Sequence, residues 1–196
     1  MVGLIQKLLC DMIQSMGGEE TLNKIKMDAG IEPERVFHIN QVYSDEEWQR
    51  LLASTLKILN VTEEQANDVY ADYFAKDALK RFPNWFAMCD NSYEFLLIQP
   101  TIHNCFATAV TEADGELRKE LCKGINDKFH VDKEPMKVVT HYRSPNQLCS
   151  LYTALARWMI AHYQDEATIE EKKCTKRGDD ECEIVIQWTK FNNVKT

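Results

Sequence analysis

The segment Lys137–Cys149, with the sequence KVVTHYRSPNQLC, changes from strand-like to helix-like sequence and decides the fold. Its residues Val138–Thr140 are β-branched and favour a strand. Ser144, Pro145 and Gln147 then have the pattern of a helix start, with serine as the N-cap and proline at the first helical position. Because a helix N-terminus offers N–H groups and a partial positive charge, this corner predicts a binding place for an anion.

Two kinds of sequence flank this corner. Before it, apolar residues recur at helical spacing, and capping boxes at Ser44 with Glu47 and at Thr62 with Gln65 predict helix starts. After residue 127, strand-like segments cover 128–131, 136–142, 168–173 and 183–188, and a helix is predicted over 146–162. The order predicts an α+β fold: a mainly helical N-terminal part packed on a C-terminal four-stranded antiparallel sheet with one inserted helix.

Length and composition predict one domain over residues 1–196, with a helical lobe at about 1–90 and a sheet lobe at about 91–190. The net charge of −8, with 31 acidic residues, argues against nucleic acid as a partner. No run of eighteen apolar residues is present, so no membrane-spanning helix is expected. Seven cysteines without a secretory signal indicate a reducing compartment, and we expect a cytoplasmic location.

Three cysteines are candidates for a metal site. Cys174 and Cys182 flank the predicted hairpin CTKRGDDEC, and Cys149 lies near the start of the preceding helix. With Glu171 as a possible fourth ligand, these side chains have the donor types of a tetrahedral zinc site. Plain burial of the thiols and a redox-active pair remain open alternatives.

The sequence contains no enzyme template. A Gly-rich phosphate loop, a His-Glu-x-x-His motif and a Gly-x-Ser-x-Gly elbow are all absent. His103 and Cys105 are two residues apart on a predicted helix and therefore point to different sides, which argues against a catalytic pair. Taken alone, His103 is more typical of a hydrogen-bonded core residue than of a metal ligand. We expect this protein not to be an enzyme.

The sequence resembles, nearly end to end, the H-NOX family of haem nitric oxide binding domains, which are related to the sensor region of soluble guanylate cyclase. The similar segments include MVGLI, GEETLNKIKMDAGI, VYSDEEWQRLL and VYADYF. The most specific landmarks are Phe95 followed eight residues later by His103, and Tyr142-x-Ser144 before a predicted helix. The resemblance implies that His103 is the axial ligand of haem b iron and that Tyr142, Ser144 and position 146 form the propionate corner.

Two features depart from the family pattern. The family's propionate-binding arginine is Asn146 here, so the bidentate charged clamp is absent and weaker or altered haem binding is implied. The segment between His103 and Tyr142 is also longer than is usual in the family, with the extra length at 114–126. We expect the charged stretch 112–123 to be helical and to face solvent.

The resemblance also describes a distal pocket, which falls on Ile5, Leu9, Phe74 and Leu151. All four are apolar, whereas members that bind O₂ have tyrosine at the position of Leu151. Bound O₂ needs a hydrogen-bond donor and NO does not, so the resemblance implies a sensor of NO, and also of CO, that discriminates against O₂. Tyr152 is expected to point away from this pocket.

Because the chain ends soon after the last predicted strand, we expect signalling in trans to a histidine kinase, a diguanylate cyclase or a chemotaxis protein. The family resemblance extends to zinc, since some bacterial members bind it at the positions of Cys149, Cys174 and Cys182, with histidine where Glu171 stands. The alternative is a haem-independent small-ligand or zinc/thiol redox sensor of related fold, similar to four-vinyl reductase domains, which share the Cys-x-x-x-Gly-x-x-x-Cys hairpin.

Overall fold

The computed structural model describes residues 3–110 and 115–192. The helices are α1 (Leu4–Asp28), α2 (Asp45–Leu59), α3 (Glu63–Arg81), α4 (Pro83–Ala87), α5 (Ser92–Leu97), α6 (Gln99–Thr108), α7 (Gly115–Lys128) and α8 (Cys149–His162). The strands are β1 (Phe129–Glu134), β2 (Lys137–Tyr142), β3 (Glu166–Lys173) and β4 (Cys182–Lys190). The predicted α+β fold is therefore confirmed, with α8 inserted between the second and third strands.

The starts of α2 and α3 follow from capping side chains. Ser44 Oγ accepts a hydrogen bond from the Glu47 N–H at 3.1 Å, and Thr62 forms a complete capping box with Gln65. α1 is divided by a kink at Gly18, whose φ of 79° and ψ of 172° are not helical. A left-handed φ favours glycine, which explains why the helix can bend at this position.

The sheet has the strand order β1-β2-β4-β3, and every neighbouring pair is antiparallel. Its buried side chains, including Val138, Ile184 and Ile186, pack against Cys149, Ala156 and Ile160 of α8. A second core, formed mainly by α1 and α2 with α3, contains Leu8, Trp48 and Leu51. Along the described residues, no helix combines the length and apolar character needed to cross a bilayer.

The predicted start of α8 was wrong. The helix begins at Cys149, three residues after Asn146, and its N-cap residue Leu148 makes no side-chain cap. Gln147 has a positive φ of 49°, which interrupts helical geometry before the helix can begin. Ser144 Oγ instead accepts a hydrogen bond from the Asn146 N–H at 3.3 Å, within a turn.

A buried polar network joins the start of α5 to the end of the sheet. The Asp165 carboxylate accepts hydrogen bonds from the Ser92 N–H at 2.8 Å and hydroxyl at 2.6 Å. The same hydroxyl accepts from Trp188 Nε1 at 2.8 Å, and the Asn192 N–H donates to Asp165 at 2.9 Å. Since α5 leads directly into α6, this network fixes where α6 begins relative to the sheet.

The first prediction concerns this network. Asp165→Ala should lower the free energy of unfolding by about 2–3 kcal/mol, because hydrogen bonds to a charged acceptor are lost and buried donors are left without partners. The exposed Asp180→Ala should change the same quantity by less than about 0.5 kcal/mol. Urea denaturation followed by circular dichroism measures both, and equal effects of the two substitutions would contradict the assigned role of Asp165.

Candidate functional site

A cavity of about 570 Å³ lies between the helical part and the sheet. Its walls come from all eight helices described above, together with β1 and the end of β2. Most lining side chains are apolar or aromatic, and polar groups gather at the corner where β2 turns toward α8. This size and composition are typical of sites for small molecules and cofactors.

His103 lies in one wall of the cavity. It is carried by α6, and its ring packs against Phe129 of β1 with the centroids 4.9 Å apart. Burial lowers the pKa of His103 to about 4, so the imidazole is neutral at neutral pH. Among residues 3–110 and 115–192, no side chain or backbone group makes a hydrogen bond to this ring. A neutral, unpartnered imidazole facing a cavity can bind a metal through its lone pair.

The polar corner of the cavity contains Tyr142, Ser144 and Asn146, as predicted for the propionate corner. The Tyr142 hydroxyl accepts a hydrogen bond from the Leu148 N–H at 3.3 Å. Burial raises the pKa of Tyr142 to about 12, so the hydroxyl keeps its proton. The corner that was predicted to bind an anion therefore offers side-chain hydroxyls around a turn. It does not offer a helix N-terminus, because α8 starts later than predicted.

Asn146 is not arranged as an anion clamp. Its Oδ1 is buried without a hydrogen-bond partner in the described part of the chain. Its amide is a hydrogen-bond partner of Asp45, another cavity residue. Burial alone would raise the pKa of the Asp45 carboxyl, but this hydrogen bond and the Lys128 ammonium help to hold it below its usual value. Lys128 Nζ lies 3.8 Å from Asp45 Oδ2, and Lys128 also lines the cavity.

The apolar wall opposite the sheet differs in one residue from the prediction. Ile5, Phe74 and Leu151 line the cavity, whereas Leu9 is buried in the helical core, outside the lining. Leu4 and Leu8 of α1 take part in the wall instead. At about 100° per residue, positions 4, 8 and 5 share one face of the helix, and position 9 lies beyond its edge.

Tyr152 lines the cavity, so the expectation that it points away was wrong. Its ring packs edge-on against Phe129, with centroids 5.7 Å apart, which places it on the same side as His103. Its hydroxyl is paired with Thr140 Oγ1 at 2.7 Å. Adjacent residues of α8 therefore face different parts of the cavity, because the helix runs along it. The Tyr152 hydroxyl is already bound to the sheet.

Sequence reasoning missed two further walls. α4 contributes an aromatic cluster in which the Phe82 and Trp85 rings stack at 4.4 Å and Phe106 meets both edge-on. α7 contributes Leu117 and Leu121, although no side chain of this helix is fully buried. The predicted helix 112–123 is confirmed from Gly115 onward, and 111–114 lie outside the described residues. The four-residue spacing of Leu117 and Leu121 was a usable signal for one apolar face.

The predicted thiol cluster is assembled beside α8. Ligand atoms of Cys149, Cys174, Cys182 and Glu171 all lie within 4.8 Å of one another. The Sγ atoms of Cys149 and Cys174 are 3.7 Å apart, and burial raises the pKa of both thiols. The Glu171 carboxylate is also held by Arg177 at 2.6 Å. The set has the donor number and proximity of a metal site.

Fold and cavity together define a class of α+β domain with a largely apolar cavity of cofactor size between its helices and its sheet. Residues 2–171 match the model of the HNOB family, described as haem-NO-binding. The chain belongs to this family of H-NOX domains, which are haem-binding gas sensors and not enzymes. Among curated protein sequences, no significant match is found.

Solved structures support the same fold. An H-NOX protein from S. oneidensis in the Fe(II)NO state is similar with a TM-score of 0.76 and 18% identity, covering 96% of this chain and 99% of that one. An oxygen-binding H-NOX domain related to soluble guanylate cyclases is similar with a TM-score of 0.72 and 16% identity, and the match covers 100% of both chains. The A71G mutant of an H-NOX protein from K. algicida, in the unliganded Fe(II) state, is similar with a TM-score of 0.72 and 19% identity, and the match covers 97% of both chains. At these identities the likeness concerns the fold alone.

Proposed function

We propose that this chain binds haem b with His103 as the axial ligand and senses nitric oxide. The observation that carries the proposal is the neutral imidazole of His103, which faces a mainly apolar cavity without a hydrogen-bond partner in the described residues. Bound haem supplies an iron with an open coordination position for a diatomic gas. Most side chains of the cavity walls are apolar or aromatic, and such walls disfavour water beside a bound cofactor.

Tyr142 and Ser144 would hold the propionates by hydrogen bonds from their hydroxyls. The charge that the family's arginine supplies is missing at Asn146, and we infer that Lys128 replaces it. Lys128 is a cation of the cavity lining, and it lies on the same side of the corner as Asp45 and Asn146. Lysine acts as a point charge without the bidentate geometry of arginine.

We infer discrimination against O₂ from the apolar wall opposite the sheet. Ile5, Phe74 and Leu151 offer no hydrogen-bond donor, and bound O₂ requires one. Tyr152 does not replace it, because its hydroxyl is paired with Thr140. NO and CO need no such donor, so both are expected ligands.

The signal would leave the cavity through residues that contact His103. Movement of α6 acts on Phe129 of β1 through the ring contact at 4.9 Å, and Phe129 in turn contacts Tyr152 of α8. Because both lobes contribute cavity walls, we infer that the described residues work as one domain. The receiver in our proposal is a separate protein, such as a histidine kinase, a diguanylate cyclase or a chemotaxis protein, in the cytoplasm.

The second prediction tests the axial ligand. His103→Gly should abolish the Soret band of the purified protein, and added imidazole should restore it, because the free ligand can occupy the emptied position. In the reduced wild-type protein, NO should shift the Soret band and air should leave it unchanged. His38→Gly, at an exposed position, is the matched control and should retain haem.

Two outcomes would oppose this proposal. If His103→Gly keeps the wild-type Soret band, His103 is not the axial ligand. If air shifts the Soret band of the reduced wild-type protein, the protein does not discriminate against O₂. Failure of the wild-type protein to take up haem would favour the haem-independent small-ligand sensor.

The third prediction tests Lys128. Lys128→Ala should speed haem transfer to an acceptor protein by about two- to fivefold, as expected for a partly exposed charge pair, and Lys128→Arg should not. Arg143→Ala is the control, because Arg143 pairs with Glu181 at 3.0 Å and does not line the cavity. Equal rates for Lys128→Ala and the wild type would show that the propionates are held without this charge.

We propose zinc binding as a second property, carried by the convergence of Cys149, Cys174, Cys182 and Glu171 within 4.8 Å. Zinc favours thiolates, and its charge would offset the cost of ionising buried thiols. In the absence of metal, the 3.7 Å separation of the Cys149 and Cys174 sulfurs also suits a redox-active pair.

The fourth prediction separates these two chemistries. Zinc analysis of reduced protein should give one thiol-bound ion per chain, which Cys174→Ser should remove and exposed Cys105→Ser should not. Glu171→His should tighten binding, since imidazole is the more usual ligand beside thiolates. If no zinc is bound and mild oxidation joins Cys149 to Cys174, the thiol pair is the redox sensor of the alternative proposal.

A further inference from the structure

The outer face of the β1–β2 pair carries a second cluster of possible metal ligands. His130 and His141 are directly opposite each other in the strand register, and their rings lie parallel with centroids 4.5 Å apart. Asp132 is two residues from His130 and therefore projects from the same face. Ligand atoms of His130, Asp132 and His141 lie within 4.8 Å of one another.

His141 lies between two carboxylates. Its Nδ1 is 3.1 Å from Glu181 Oε1, and its Nε2 is 3.3 Å from Asp132 Oδ2. A neutral imidazole has one N–H and can donate to only one of them, so its other nitrogen presents a lone pair to an acceptor oxygen. A cation between Nε2 and Asp132 removes this conflict.

Glu181 has the position of an orienting group. Metal-binding histidines usually donate their second ring N–H to a carboxylate, which fixes the tautomer. Glu181 is itself held by Arg143, through Nε and Nη2 at 3.0 Å from Oε2. With Nδ1–H directed at Glu181, the Nε2 lone pair of His141 points toward Asp132.

The carboxylates of this face differ in their partners. Glu181 is paired with Arg143, and Glu183 with Lys173 at 2.8 Å. Asp132 has no lysine or arginine partner in the ranges that the structure describes, and it is exposed. Asp132 is therefore the carboxylate most available to a metal, and the exposed His130 side chain can rotate to present a nitrogen.

We propose that His130, Asp132 and His141 bind a divalent transition-metal ion such as Zn²⁺, with Glu181 positioning His141. Two imidazoles and a carboxylate are the donors of open zinc sites, in which water completes the coordination. The site is distinct from the cavity, because the neighbouring pair Phe129 and Tyr142 projects from the opposite face of the same strands and lines the cavity. A bound ion would link β1 to β2 directly behind that pair.

Titration of the chelator-treated, reduced full-length protein with Co²⁺ tests this proposal. Thiolate ligation produces a strong charge-transfer absorption that imidazole and carboxylate ligands lack, so the two metal sites can be separated in one titration. In the wild type and in the control His38→Gln, we expect one Co²⁺ ion bound without charge transfer, in addition to any Co²⁺ bound by the thiol cluster with charge transfer. Asp132→Asn and His141→Gln should not bind the Co²⁺ ion that lacks charge transfer, and in the wild type Zn²⁺ should displace this ion.

Glu181→Gln should weaken this binding about 10- to 100-fold, the usual effect of removing the partner of a ligating histidine. Circular dichroism verifies that each variant folds, and Asp132 is exposed, so its substitution disturbs no core contact. The proposal is overturned if Asp132→Asn binds Co²⁺ as the wild type does, or if all bound Co²⁺ shows charge transfer. The first result would show that Asp132 is a hydrogen-bond partner of His141 and not a metal ligand.

Discussion

The candidate site depends on the imidazole of His103, which faces the cavity without a hydrogen-bond partner in the described chain. Because no hydrogen bond orients the ring, other contacts must hold His103 in place. The Asp165–Ser92–Trp188 network anchors α5, and α6 follows it directly. Phe129 supports the ring from the sheet side. These contacts leave the lone pair of the imidazole free to bind a metal in the cavity.

The side chains of the polar corner, Tyr142, Ser144 and Asn146, also take part in hydrogen bonds within the protein. The Tyr142 hydroxyl receives the Leu148 N–H, and the Ser144 hydroxyl holds a turn, so both side chains shape the backbone as well as the cavity. Asn146 turns its amide to Asp45 and does not offer a charge. The cation of this corner, Lys128, is the last residue of α7.

Local sequence signals predicted much of the fold, because capping boxes and alternating strands are decided within a few residues. The thiol cluster was also foreseeable, since a hairpin brings Cys174 and Cys182 together and α8 lies beside it. His103 could be singled out only through family resemblance, because its isolation from partners is a tertiary property. The start of α8 and the orientations of Leu9 and Tyr152 were missed for a related reason. A left-handed residue at Gln147 and the exact rotation of a helix against a cavity depend on packing that spacing does not record.

The first turns of α8 contain Cys149 of the thiol cluster and, two residues later, Leu151 of the cavity wall. These residues lie within one turn of the same helix, so a shift of this segment caused by binding at one of them would be felt at the other. Thermodynamic linkage requires such coupling to be reciprocal for binding. A metal ion bound at the thiol cluster would then change the affinity of the cavity for its ligand, and the ligand would change the affinity of the thiol cluster for the metal by the same factor.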